Sequence, residues 1–142
     1  MTLVNGNPAE TVAALDRGLA YGDGVFRTLR TQAGQPLWWR DQYAKLAEDC
    51  AALMLDCPDE AGLHAEVCQV AVAGEGVVKI ILTRGTGARG YAPPQEQACT
   101  RIVLAASLPA HAQPNAPLDI MARWCTLRLA RQPRLAGIKH LN

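Results

Sequence analysis

The sequence lacks an excess of charge of either sign. Fourteen Lys and Arg against thirteen Asp and Glu leave a formal charge of +1, which offers no general attraction for nucleic acid or for an acidic membrane surface. Any anion bound here must therefore be held by a local cluster. Paired cysteines are lacking too. The five cysteines, Cys50, Cys57, Cys68, Cys99 and Cys125, are odd in number, and none shows C-x-x-C spacing, so neither a zinc site nor a redox motif is indicated. Five thiols fit a reducing cytoplasm. No apolar run approaches the roughly 20 residues of a membrane-spanning helix. The opening residues carry no basic stretch followed by an apolar one, so no secretory leader is expected. No internal repeat or low-complexity tract is present. The expectation is a soluble, cytoplasmic protein with no nucleic-acid partner, no membrane partner and no metal.

What is present is globular in composition, with 49% apolar and 19% charged residues over 142 positions, enough for one domain with its own core. Residues 2–4 are β-prone and Asn5-Gly6 is a turn signal. Residues 16–24 are too glycine-rich for a regular element and read as an ordered loop. Residues 25–31 alternate weakly and are bounded by Ala33-Gly34-Gln35, which predicts a hairpin strand paired again by residues 36–39. Tyr43, Leu46, Cys50, Leu53 and Met54 recur at helical spacing, as do Leu63, Val67, Val70 and Ala71 in a second helix starting near Asp59. Residues 77–83 are continuous and β-branched, as in a central strand, and residues 101–107 form another strand candidate.

The predicted fold class is α+β. Residues 1–108 form a small N-terminal domain with a mostly antiparallel sheet and two helices. Pro109, Pro114 and Pro117 mark an interdomain linker over 109–117. Residues 118–142 begin a second domain, with a first strand over 118–124. Such a unit is too short to bury a core of its own, so the chain is expected to stop inside a domain, either as a fragment or as one that another polypeptide completes.

Three clusters are chemically suggestive. Arg84 is followed by Gly85-Thr86-Gly87-Ala88-Arg89-Gly90-Tyr91. Glycines let backbone N–H groups approach an anion, and a guanidinium grips a carboxylate with two parallel hydrogen bonds. The spacing matches neither a Walker loop nor a strand–GxGxxG–helix unit, and from pattern alone a plain surface turn is the favoured reading over an anion site. In residues 16–26, a structural loop would pair Asp16 with Arg17 and use Gly22 and Gly24 at positive φ. Finally, Lys139 lies between Ile138 and Leu141. In a partly apolar setting its amine would be easier to deprotonate and more nucleophilic; as a residue near a chain end it also reads as an ordinary surface lysine.

Together the clusters resemble the fold-type-IV pyridoxal-phosphate enzymes, which include branched-chain aminotransferases, D-amino-acid aminotransferases and aminodeoxychorismate lyases. The matching pieces are Asp16-Arg17-Gly18 with Tyr21-Gly22-Asp23-Gly24-Val25-Phe26, Thr83-Arg84-Gly85 with Arg89-Gly90-Tyr91, and Gly137-Ile138-Lys139-His140-Leu141-Asn142. They occur in the family's order across nearly the whole chain. Arg89-Gly90-Tyr91 and residues 135–142 are most similar to the aminodeoxychorismate lyases. D-amino-acid aminotransferases usually carry serine after the lysine, and branched-chain aminotransferases usually carry glutamate where this chain has Arg27.

The resemblance implies pyridoxal 5'-phosphate as cofactor, Lys139 as the lysine that carries it and moves the proton at the reacting carbon, and a homodimer. It implies a small-molecule substrate, 4-amino-4-deoxychorismate, converted to 4-aminobenzoate and pyruvate in folate biosynthesis. Amino-group transfer, or a merely dimerising fragment, is the alternative. Arg89 and Tyr91 fall where relatives bind a substrate carboxylate, with Arg30 as a further candidate. Two departures stand out. The family's His-x-x-Arg-Leu pattern, whose arginine binds the cofactor phosphate, is here Gln42-Tyr43-Ala44-Lys45-Leu46. Lys45 supplies charge without the bidentate fork, so weaker phosphate anchoring is expected. Family members also continue well past the lysine, into a cofactor-binding domain of which residues 118–142 would be only the beginning.

Overall fold

The computed structural model describes residues 1–96, 98–108 and 119–142. Three long strands set the architecture: β3 (Gly24–Gln32), β5 (Glu75–Thr83) and β6 (Thr100–Ser107). β5 pairs antiparallel with β3 from Gly24–Thr83 to Gln32–Glu75, and with β6 from Gly76–Ser107 to Thr83–Thr100. Short β1 (Thr2–Val4), β2 (Asn7–Pro8) and β4 (Gln35–Pro36) extend the edges, giving a six-stranded antiparallel sheet in the order β2-β1-β6-β5-β3-β4.

Because the side-chain period of a strand is two, the register sorts residues onto two faces. Leu3, Val25, Leu29, Val78, Ile80, Leu82 and Val103 share one face, and all are buried. Helices α2 (Trp39–Ala52) and α3 (Glu60–Val70) cover it through Leu46, Cys50, Leu63, Val67 and Val70. Each such aliphatic side chain contributes on the order of 1.5–3 kcal/mol by leaving water. The opposite face carries Phe26, Thr28, Arg30, Lys79, Ile81, Ile102 and Leu104, which are half-buried or exposed. The fold is α+β with a mostly antiparallel sheet, as the pattern predicted.

Local details depart from the sequence reading. Residues 16–24 are not all loop. Asp16 accepts a hydrogen bond from Gly18 N at 2.8 Å and starts a third, short helix, α1 (Arg17–Tyr21), which Gly22 ends in the left-handed region at φ 65°. The expected strand at 36–39 stops at Pro36, because Trp38, at φ 52°, turns the chain directly into α2. Met54 leaves the predicted helical face: α2 ends at Ala52, and Met54 has φ 55° and is exposed. The prediction for α3 holds, with Asp59 capping it through Gly62 N at 2.8 Å.

The expected linker at 109–117 lies outside the described residues, and the strand expected over 118–124 is absent from its described part, 119–124. A strand persists only within a ladder, and these residues meet no partner strand. After a 3-10 turn at Pro133–Leu135 the chain returns to the sheet. Phe26 N donates to Lys139 O at 2.8 Å and Leu141 N to Gly24 O at 2.9 Å, so residues 139–141 lie against the start of β3.

Candidate active site

The site is built around the turn that enters β3. Asp16 and Arg17 do not pair with each other. The Asp16 carboxylate accepts from Gly18 N and from Thr83 Oγ1, at 2.8 and 3.0 Å. Arg17 donates from Nε to Asp23 at 2.8 Å, and its Nη1 and Nη2 reach the carbonyls of Gly90 at 3.1 Å and Tyr91 at 3.0 Å. Arg84 donates from Nε to Asp23 at 3.0 Å and from its Nη atoms to Met54 O and Leu53 O, each at 2.8 Å. Burial alone would raise the Asp23 carboxyl, but hydrogen bonds from Arg84 and Arg17 outweigh it and hold it below the usual 3.8. Gly24 is not at positive φ; it is required because a Cβ there would lie 2.3 Å from Leu82 O. Gly85, at φ 81°, would place a Cβ 1.9 Å from Ala98 O.

These contacts decide the roles of the glycine-rich cluster. Arg84 is buried and committed to protein acceptors, so it braces the end of α2 instead of gripping a ligand. Arg89 is exposed. Tyr91 is exposed also, and its ring meets that of Tyr21 at 5.4 Å. Arg17, lying 4.9 Å above the Tyr21 ring, therefore ties the loop bearing Arg89 and Tyr91 to α1.

On the other side of the turn, Asp49 of α2 is fully buried. Its Oδ1 receives the Lys45 ammonium at 2.5 Å, and its Oδ2 lies 3.6 Å from Arg27 and 3.5 Å from Lys139 N. One carboxylate thus gathers Lys45, Arg27 and the Lys139 backbone. Its hydrogen bond raises the Lys45 ammonium above the ordinary lysine value. The Lys139 side chain is exposed and lies 4.9 Å over the Phe26 ring, with no ion pair among the described residues. Arg30 sits apart. It is four residues along β3 from Phe26, about 13 Å at strand rise, and pairs with Glu75 at 3.1 Å.

A cavity of about 240 Å³ opens beside the turn, lined by Arg17, Tyr21, Asp23, Leu53, His140 and Asn142 among others. Lys139 does not line it. Successive residues of an extended segment point to opposite sides, so His140 faces this cavity while Lys139 faces Phe26. The buried residues missed from sequence, Asp49 above all, carry no motif; besides Lys45 on its own helix, Asp49 meets Arg27 and the Lys139 backbone, which lie on other parts of the chain. Among the described residues no helix is long and apolar enough to cross a membrane, and no group of three or more His, Cys, Asp and Glu is placed to hold a metal ion.

Comparison with known proteins agrees with this frame. The family model of class IV amino-transferases matches residues 24–142. An aminodeoxychorismate lyase of Vibrio harveyi is 32% identical across the whole chain, which covers 53% of that relative. The crystal structure of 4-amino-4-deoxychorismate lyase from Pseudomonas aeruginosa is 42% identical, with a TM-score of 0.84, over all of this chain and 53% of that one. Branched-chain amino acid aminotransferase of Escherichia coli shares the fold, with a TM-score of 0.76 at 16% identity over 99% of this chain and 51% of its own. The chain spans about half the length of each. On these matches, and on the sheet, turn and lysine that they share a frame with, the chain belongs to the class IV aminotransferase family of fold-type-IV, pyridoxal-phosphate-dependent enzymes.

Proposed function

We propose that the complete protein is an aminodeoxychorismate lyase, releasing pyruvate from 4-amino-4-deoxychorismate to leave 4-aminobenzoate. The observation that carries this is Lys139, presented without an ionic partner among the described residues, in a chain 42% identical to a lyase of known structure. Pyridoxal phosphate, when bound, supplies a carbonyl for an amine and an electron-withdrawing ring. An exposed primary amine beside an aromatic ring suits such a group. His140 Nδ1 and Arg27 Nε are buried without hydrogen-bond partners among the described residues. Buried polar atoms are normally satisfied, so the pair supports polar partners from beyond this chain or from a bound molecule.

In this reading Lys139 takes and returns the proton at the amine-bearing carbon of the substrate, which requires its neutral form. Arg89 and Tyr91 hold a substrate carboxylate, with Arg17 and Tyr21 fixing their loop. Lys45 provides charge toward the cofactor phosphate, shared with Asp49 and Glu48. Arg30, bound to Glu75, has the weaker claim on substrate. The complete enzyme is read as a homodimer, and residues 118–142 as the start of its second domain.

The test is product analysis with the full-length enzyme and 4-amino-4-deoxychorismate. Equal amounts of pyruvate and 4-aminobenzoate are expected, with loss of both and of the cofactor's protein-bound absorbance band in Lys139→Ala. Amino transfer from an amino acid to a 2-oxo acid, without pyruvate release, would make it an aminotransferase instead.

A further inference from the structure

Asp49 is a costly residue where it stands. The other buried residues of α2, Leu46 and Cys50, are apolar. A carboxylate taken from water into such a layer is destabilising unless its oxygens find partners. Both oxygens do. Oδ1 accepts from Lys45 Nζ at 2.5 Å. Oδ2 accepts from Lys139 N in a long bond of 3.5 Å and lies 3.6 Å from Arg27 Nη1. Arg27 is itself steadied by Gln42, whose Oε1 accepts from its Nη2 at 3.1 Å.

The chain around Lys139 is held from three directions. The edge of β3 supplies one, since Phe26 N donates to Lys139 O at 2.8 Å and Leu141 N to Gly24 O at 2.9 Å. The core supplies another through the packed side chain of Ile138. The third comes from α2, where the Lys139 N–H goes to the Asp49 carboxylate. Asp49 is thus the link between the helix that carries Lys45 and the backbone that carries the Lys139 amine.

We propose that Asp49 is a positioning residue for Lys139. It ties the Lys139 backbone and the Lys45 ammonium to one carboxylate, and so sets the spacing of two groups by which this chain holds its cofactor. The assignment rests on the roles of Lys139 and Lys45 given under the proposed function. The Lys139 amine lies over the Phe26 ring at the end of a flexible four-carbon stem, so its backbone is the part that the fold can fix. A displacement of about 1 Å at a reacting group is enough to slow a reaction about a hundredfold. Asp49 itself touches neither substrate nor reacting atom, and no proton passes through it.

The experiment compares the full-length wild-type enzyme with Asp49→Asn, which keeps the side chain's size but has one acceptor oxygen and no charge. Amide hydrogen exchange is read residue by residue by NMR without cofactor, and steady-state rates are measured at saturating pyridoxal phosphate. In wild type, the Lys139 amide is expected to exchange at least about tenfold more slowly than in an unstructured peptide. In Asp49→Asn that protection should fall about tenfold, while the Phe26 and Leu141 amides, bonded to backbone oxygens, keep theirs. The rate constant kcat should fall about tenfold or more with KM within about twofold, as for a group that acts on the step and not on binding. An unprotected Lys139 amide in wild type overturns the proposal, and that measurement stands even where the variant fails to fold. Equal loss of protection at Phe26, Lys139 and Leu141, the mark of a purely structural role, also overturns it, as does an unchanged kcat. Amide exchange does not depend on which products form. Amino transfer in place of pyruvate release would therefore sink the lyase reading, while the exchange pattern still decides for or against Asp49.

Discussion

Asp23 illustrates how much this site rests on single residues. Two buried guanidinium groups, Arg17 and Arg84, meet on its carboxylate, and through them it reaches the 90–91 loop and the end of α2. Removing one member of a buried pair costs about 3–5 kcal/mol, so Asp23→Asn is expected to lower stability by about 3 kcal/mol, read as a fall in the urea midpoint. Its folded-state value lies below 3.8. The stability it contributes is therefore fully present above the unfolded value and lost as pH falls through the lower folded one. Acid titration of stability should show a limb below pH 3.8 that Asp23→Asn diminishes. Gly24→Ala and Gly85→Ala each force a Cβ against a carbonyl oxygen, and the two variants should unfold at markedly lower temperature in a thermal melt. The glycines of both clusters were visible in the sequence as punctuation. That Gly24 answers a close approach of β5, and not a positive φ, depends on a neighbour fifty-eight residues away in the chain.

At the scale of elements, legibility followed periodicity. α3 was readable because Leu63, Val67 and Val70 repeat at helical spacing, and β5 because its run of β-branched residues is continuous, as a central strand requires. Leu63→Ala should cost about 2–5 kcal/mol by leaving a cavity between α3 and the sheet, and Asp59→Ala about 1 kcal/mol through loss of the cap; chemical denaturation measures both. α1 was not readable. Five residues are too few to show a helical period, and its stability comes from Asp16, Thr83 and Arg17 contacts outside it. Trp38 and Met54 likewise take left-handed backbone conformations that their residue types do not announce.

For the whole molecule, the two faces of the sheet differ in what they demand. One is closed by α2 and α3, while the other leaves Phe26, Ile81, Ile102 and Leu104 half-buried. Residues 1–108 contain every strand and both long helices among the described residues, so a fragment of that span is expected to unfold cooperatively by circular dichroism, at a lower temperature than the full-length enzyme. Non-cooperative melting would place the domain boundary elsewhere.

The sequence by itself determined the α+β class, the antiparallel sheet, the two long helices and the family, because periodicity and the order of short motifs are local or additive along the chain. Only the tertiary structure decided that Asp49 gathers Arg27 and the Lys139 backbone, and that Arg84 braces the end of α2. Such pairings are set by where the folded backbone brings distant residues, and a charge carries no local mark of a partner on another element.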